Sequence, residues 1–180
     1  PCRIGTVRGM EVVDRILVFG RSAPKAAAVA ALLAAEGLPA APVSDLDEAV
    51  RGADIITCAT TARTPLIRGA QVRPGTHVDL VGAFRPDMRE SDGALIARAR
   101  VFVDTRAGAL AEAGDLVLAE AEGAFDVDRL AGDLAGLCAE RVAGRRSAED
   151  VTVFKSVGVA LEDLVAAEMV LAAEGAPSGR

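Results

Sequence analysis

Short runs of β-branched and aliphatic residues alternate along the chain with longer Ala-rich stretches that carry their polar residues at helical spacing. That alternation predicts an α/β fold with a doubly wound, mostly parallel sheet. Residues 15–19 (RILVF) read as a buried strand. Ser22 can cap a helix from Ala23 to about Glu36, with Pro24 tolerated in its first turn and Gly37 ending it. A short strand is expected at 40–43 and a short helix at 45–51, with acids at its start where the helix dipole favours them. Residues 54–59 (DIITCA) form the next expected strand, 60–74 a loop, and 75–82 contain another strand. A helix over 91–98 and a strand over 100–104 follow. Helices are expected at 107–113 and across 127–141. Residues 151–173 supply the closing strand, at 151–154, and a C-terminal helix from Val157. In that helix Val157, Leu161, Leu164, Val165 and Met169 fall on one face. The whole of 1–180 reads as one domain.

Composition narrows this picture. Of the 180 residues 51% are hydrophobic, with no Trp, no Tyr and five Phe. The core must therefore be built from Ala, Val, Leu and Ile, which suits helices packed on a parallel sheet. The formal net charge is −6 and the basic residues are scattered among acids, so neither nucleic acid nor a membrane surface is an expected partner. No apolar run reaches the length of a membrane span. Cys2, Cys58 and Cys138 are far apart and lack metal-ligand spacing, and His77 is the only histidine. No metal site is expected, and reduced thiols point to the cytoplasm.

Ligands of open parallel sheets bind at the carboxyl ends of the strands. Those ends carry Gly20, Arg21 and Ser22 after RILVF, and Thr60 and Thr61 after DIITCA. Gly82, Ala83, Phe84 and Arg85 follow HVDLV, and Lys155, Ser156 and Gly158 follow VTVF. Small, hydroxylated and basic residues gathered there in an acidic chain predict an anionic ligand. The first end is the most informative. A NAD-binding sheet usually carries a carboxylate there for the ribose 2′-hydroxyl. Here Gly20 is followed by Arg21, whose planar fork suits a phosphate, by Ser22, and by Lys25 one helical turn on. The set suits the 2′-phosphate of NADP(H) ahead of NAD(H). The same residues also fit a plain helix cap beside a solvated arginine. Likewise GAFRPDMRE, residues 82–90, fits a surface turn laced with ion pairs. Lys155 fits an ordinary surface lysine, His77 a structural role and Cys58 a small core position.

Four segments taken together carry a resemblance. GADIITCATTARTPLI, RPGTHVDLVGAFRPDMRE, RVFVDT with AGALAEAGDL, and VTVFKSVGVALEDLVAAE resemble, in that order, the ornithine cyclodeaminase/mu-crystallin family. The resemblance implies a Rossmann domain joined to an N-terminal domain that mediates homodimer formation and holds much of the substrate site. It implies that Gly20, Arg21, Ser22 and Lys25 hold the adenosine 2′-phosphate and that Thr60 and Ala62 line the middle of the cofactor. Val81, Gly82 and Phe84 would approach the nicotinamide, and Lys155 and Ser156 would close the pocket.

Two departures from the family pattern matter. Cyclodeaminases place an acid/base Asp in a Gly-Gly-Asp-Cys-Pro-Gly-Lys motif. Phe84 stands at that place here and cannot move a proton. The GAFRPDMRE version looks like the ketimine-reductase branch. The family's Gly-x-Gly-x-x-Ala loop is also unmatched, because IGTVRG, residues 4–9, lacks the spacing. The first strand, that loop and the N-terminal domain are therefore expected to be missing, a truncated Rossmann fold. The expected activity of the intact protein is NADP(H)-dependent reduction of a cyclic ketimine such as pyrroline-2-carboxylate or piperideine-2-carboxylate, with Arg85 contacting the substrate carboxylate. The alternatives are an NAD-dependent ammonia lyase of the cyclodeaminase kind acting on an amino acid, and a non-catalytic binding protein or inactive fragment.

Overall fold

The β-branched runs do become strands, and all of them pair in parallel. The computed structural model describes residues 13–175, so the IGTVRG segment lies outside the described residues. The elements run β1 (Ile16–Val18), α1 (Ala23–Ala35), β2 (Ala40–Pro42), α2 (Leu46–Gly52), β3 (Ile55–Cys58), β4 (His77–Leu80), α3 (Gly93–Arg98) and β5 (Arg100–Val103). Then come α4 (Arg106–Glu112), α5 (Gly114–Ala121), β6 (Gly132–Asp133), α6 (Leu134–Cys138), β7 (Thr152–Lys155) and α7 (Ala160–Gly175). No helix among the described residues is long and apolar enough to cross a membrane.

The chain divides into two compact units, 1–49 and 50–180. In the first, β1 and β2 make a two-stranded parallel sheet on which α1 packs. Ala26 and Ala30 are the buried positions of α1, and small side chains there let the helix lie close to the strands. Pro24 sits in its first turn, and Gly37, at φ 85, takes the left-handed conformation that ends it.

The second unit holds a five-stranded sheet in the order β3-β4-β7-β5-β6. The last strand made, β7, lies between β4 and β5, with Val153 opposite Val78 on one side and Val101 on the other. These three valines, with Leu80 and Val103, are fully buried. They form the aliphatic core that a chain without Trp or Tyr must use. His77 ties β4 to β7 through a 2.8 Å bond between its Nδ1 and the Thr152 hydroxyl. Burial lowers its pKa, as expected of a structural histidine.

Three elements differ from the sequence expectation. α5 was not foreseen: the helix of 106–112 breaks at Ala113, whose ψ of 94 is extended, and a second helix starts at Gly114. The single helix expected over 127–141 is instead a 3-10 turn (Val127–Arg129), β6 and α6. A side-chain carbon at Gly132 or Gly136 would press on Val142, so these glycines let Val142 close over a strand-turn-helix. α7 begins three residues late, because Gly158 is left-handed at φ 88 and Asp104 captures the N–H groups of Val157 and Gly158.

Candidate functional site

The carboxyl ends of β3, β4, β5 and β7 are stitched together by buried charges. Asp104, just past β5, accepts bonds of 2.7 Å from the backbone N–H groups of Thr105, Val157 and Gly158. Lys155, the last residue of β7, is completely buried. Its ammonium donates to the carbonyls of Leu80 at 3.1 Å, of Ser156 at 2.7 Å, and of Gly82. Glu90 and Asp115 are also completely buried. Glu90 accepts from the Thr60 N–H at 2.5 Å through Oε1. Oδ1 of Asp115 accepts from the Glu90 and Ser91 N–H groups and the Ser91 hydroxyl, all within 2.9 Å.

Burial dominates the electrostatics of this cluster. It pushes the Lys155 ammonium below its ordinary pKa, while the surrounding carboxylates of Asp115, Glu90, Asp104 and Asp79 pull it back up. It raises Asp115 and Glu90, against the hydrogen bonds that each accepts. Cys58, at the end of β3, is pushed up to about 12 by burial and by Glu90, Asp115 and Asp79. That thiol stays protonated at neutral pH and is no nucleophile.

Residues 81–91 form the turn that leaves β4. A side-chain carbon at Gly82 would run into the Thr60 carbonyl and the Glu90 carboxylate, so only glycine fits. Ala83 is buried at φ 51. That left-handed backbone costs an alanine about 1–2 kcal/mol and persists where the surroundings over-determine it. The Gly114 N–H, at the start of α5, holds the Ala83 carbonyl at 3.0 Å. Gly114 in turn has the carbonyls of Arg85 and Met88 where a side chain would stand. After this bend Phe84 projects outward with 47% of its surface exposed, beside exposed Val81. Arg85 lies 3.4 Å from Asp87, which also pairs with Arg63, and Arg89 pairs with Glu122. The charged run thus does form surface ion pairs, yet its last residue, Glu90, is an internal one.

The predicted positions divide accordingly. Thr60, Gly82, Lys155 and Ser156 meet in one network, with Ala62 beside it through a 3.2 Å bond from its N–H to the Thr60 hydroxyl. Val81, Phe84 and Arg85 are on the surface of the same turn. Gly20, Arg21, Ser22 and Lys25 belong to the first unit, where Arg21 and Lys25 are exposed. Ser22 stands at the N-cap of α1 but makes no capping bond, leaving its hydroxyl for another partner. A side chain at Gly20 would meet only ordinary contacts, so packing does not exclude a carboxylate there. Sequence reasoning missed Glu90, Asp104 and Asp115. An isolated acid looks solvated, and nothing in the flanking sequence marks these three as buried.

Comparison with known proteins accords with this geometry. The family model described as ornithine cyclodeaminase/mu-crystallin matches residues 5–175. The chain is 45% identical over 158 residues to the delta(1)-pyrroline-2-carboxylate reductase of Paracoccus denitrificans, covering 88% of this chain and 50% of that protein. It is 44% identical over 129 residues to the ketimine reductase mu-crystallin of Rattus norvegicus, covering 71% and 38%. Among solved structures, the delta(1)-pyrroline-2-carboxylate reductase of Thermococcus litoralis in complex with NADH and L-proline superposes with a TM-score of 0.83 at 33% identity, covering 86% and 48%. The chain spans about half the length of these relatives or less. By its sequence and its parallel Rossmann-like sheet, the chain belongs to the ornithine cyclodeaminase/mu-crystallin family.

Proposed function

We propose that the whole protein is an NADP(H)-dependent reductase of a small cyclic ketimine carboxylate, such as pyrroline-2-carboxylate or piperideine-2-carboxylate. Phe84 carries this reading. It stands exposed at the end of β4, where a cyclodeaminase would place a proton-transferring Asp, and it offers only an apolar face. The cofactor, when bound, supplies the hydride, and the chain supplies orientation and charge. Val81 and Phe84 give the nicotinamide an apolar floor. Arg85 receives the substrate carboxylate in exchange for its loose pairing with Asp87. Thr60 and Ala62 line the middle of the cofactor, and Lys155 and Ser156 stand behind the pocket.

The residues of the first unit fit a 2′-phosphate. Gly20 leaves room and no repelling charge, the Ser22 hydroxyl is free of a capping bond, and Arg21 and Lys25 are exposed beside it. The likeness to a reductase solved with NADH keeps NAD(H) as the competing cofactor. The whole protein is read as a cytoplasmic homodimer with a small imino acid as its substrate.

The test assays the protein together with the half of the relatives' length that this chain does not span. Pyrroline-2-carboxylate and piperideine-2-carboxylate are offered with NADPH and with NADH, and ornithine is offered with NAD⁺. Imine reduction with NADPH preferred is expected. Release of ammonia from ornithine at a comparable rate would overturn the reading. Arg21→Ala should weaken NADPH roughly ten- to a hundredfold and leave NADH nearly unchanged. Equal losses for both cofactors would make Arg21 structural.

A further inference from the structure

The turn after β4 is held from several sides at once. Lys155 grips the Gly82 carbonyl from below, along with those of Leu80 and Ser156. Glu90 and the Thr60 carbonyl close on the Cα of Gly82, and the Gly114 N–H holds the Ala83 carbonyl. Between these contacts sits Ala83, in a backbone conformation that an alanine does not choose for itself. The carbonyls at the end of a strand can be satisfied by water, at no electrostatic penalty. Here they are satisfied instead by a fully buried ammonium, which is an expensive way merely to end a strand. A compact point charge with three donors can, however, draw several carbonyls to one locus and fix their separation.

We propose that Lys155 is a positioning residue. Through the Gly82 carbonyl it locks the left-handed turn at Ala83, and so sets the direction in which Phe84 and Arg85 leave the sheet. Its own ammonium never touches the ligand. Glu90 and Asp115 serve as its buried counter-charges and as the far wall of the clamp. The functional half of the proposal rests on the reading that this turn meets the nicotinamide and the substrate carboxylate.

The test uses the full chain and two kinds of measurement. In the unmodified protein the Lys155 ammonium protons should be protected from solvent and show NMR contacts to Leu80 and Gly82. An ammonium in free exchange, without those contacts, overturns the proposal whether or not any variant folds. Lys155→Met keeps the unbranched stem and removes the ammonium. The N–H groups of Val81, Gly82 and Gly114 bond across the turn, to Cys58 in the first two cases and to Ala83 in the third. Their hydrogen exchange should rise about tenfold, the effect of losing one charge-assisted bond. The carbon shifts of Ala83 should leave the left-handed range, while the interior amides of β5 and β7 change less than those of the turn. Unchanged exchange at the turn, or an equal rise across the sheet, would mean a plain packing role. Binding of NADH and NADPH is then titrated in the protein carrying the half of the relatives' length that this chain does not span, with about a tenfold loss expected in Lys155→Met. If that protein, unmodified, binds neither dinucleotide, the functional reading fails, while the exchange result still decides whether Lys155 sets the turn.

Discussion

Gly82 shows how narrowly a single residue can be specified. Its missing side chain is replaced by the Thr60 carbonyl and the Glu90 carboxylate, and neither can retreat without breaking the bond between Glu90 and the Thr60 N–H. Gly82→Ala should therefore destabilise by about 1–3 kcal/mol or more in urea unfolding. Gly52→Ala, where nothing lies within 4 Å, should be neutral or slightly stabilising. Equal effects at the two sites would show that the Gly82 contacts yield. Asp115 gives a second handle, through pH. Burial raises its folded pKa above the ordinary value of 3.8, so the folded state holds this proton more tightly than the unfolded chain does. Stability then falls as pH rises from the ordinary carboxylate range through the raised folded value, and the deficit persists above it. Asp115→Asn keeps an oxygen acceptor for Ser91 and Glu90 but has no proton to lose. Urea titrations from about pH 4 to pH 8 should show a smaller fall in the variant. An unchanged slope would mean that Asp115 is already ionised in the folded state across that window. These residues mark the limit of what the sequence made legible. Gly82 and Lys155 stood out because they follow strands. Nothing local distinguishes the acids that partner them from solvated ones.

At the scale of elements the reading was better, because periodicity reports burial directly. The strands at 16–18, 55–58 and 100–103 and the helix α1 fall where the apolar runs and the Pro24 and Gly37 signals put them. Short pieces defeated it. β6 has two residues, too few to show a period, and α5, which starts at Gly114, has no capping side chain to announce it. α7 is instructive in the other direction. Its apolar face was legible, yet Leu161, Leu164, Val165, Met169, Val170 and Leu171 are all 46–68% exposed. A face of that kind on a free chain drives association. Leu164→Glu combined with Met169→Lys should lower self-association in sedimentation velocity and leave the unfolding midpoint of the sheet unchanged. A large drop in that midpoint would mean that α7 packs on the sheet in solution.

The molecule as a whole is two units of unequal strength. A two-stranded sheet with one helix is marginal by itself, whereas five strands around an aliphatic centre are not. Hydrogen exchange in low urea should therefore open α1 and β2 before β4, β5 and β7. One shared opening energy across both units would refute this. Sequence reasoning foresaw the α/β class and the parallel pairing, because both follow from apolar runs alternating with helical stretches. Strand order also sets a timetable for synthesis. β7 is the last strand among the described residues and the middle one in the five-stranded sheet. Chains emerge from the ribosome at about 5–20 residues per second, and until residue 155 is out β4 and β5 have no common neighbour. During that interval each presents a bare aliphatic edge to every other nascent copy in the cell. A message cut short before Thr152 would yield a product with two such edges and no way to close them, a product destined for inclusion bodies or proteolysis.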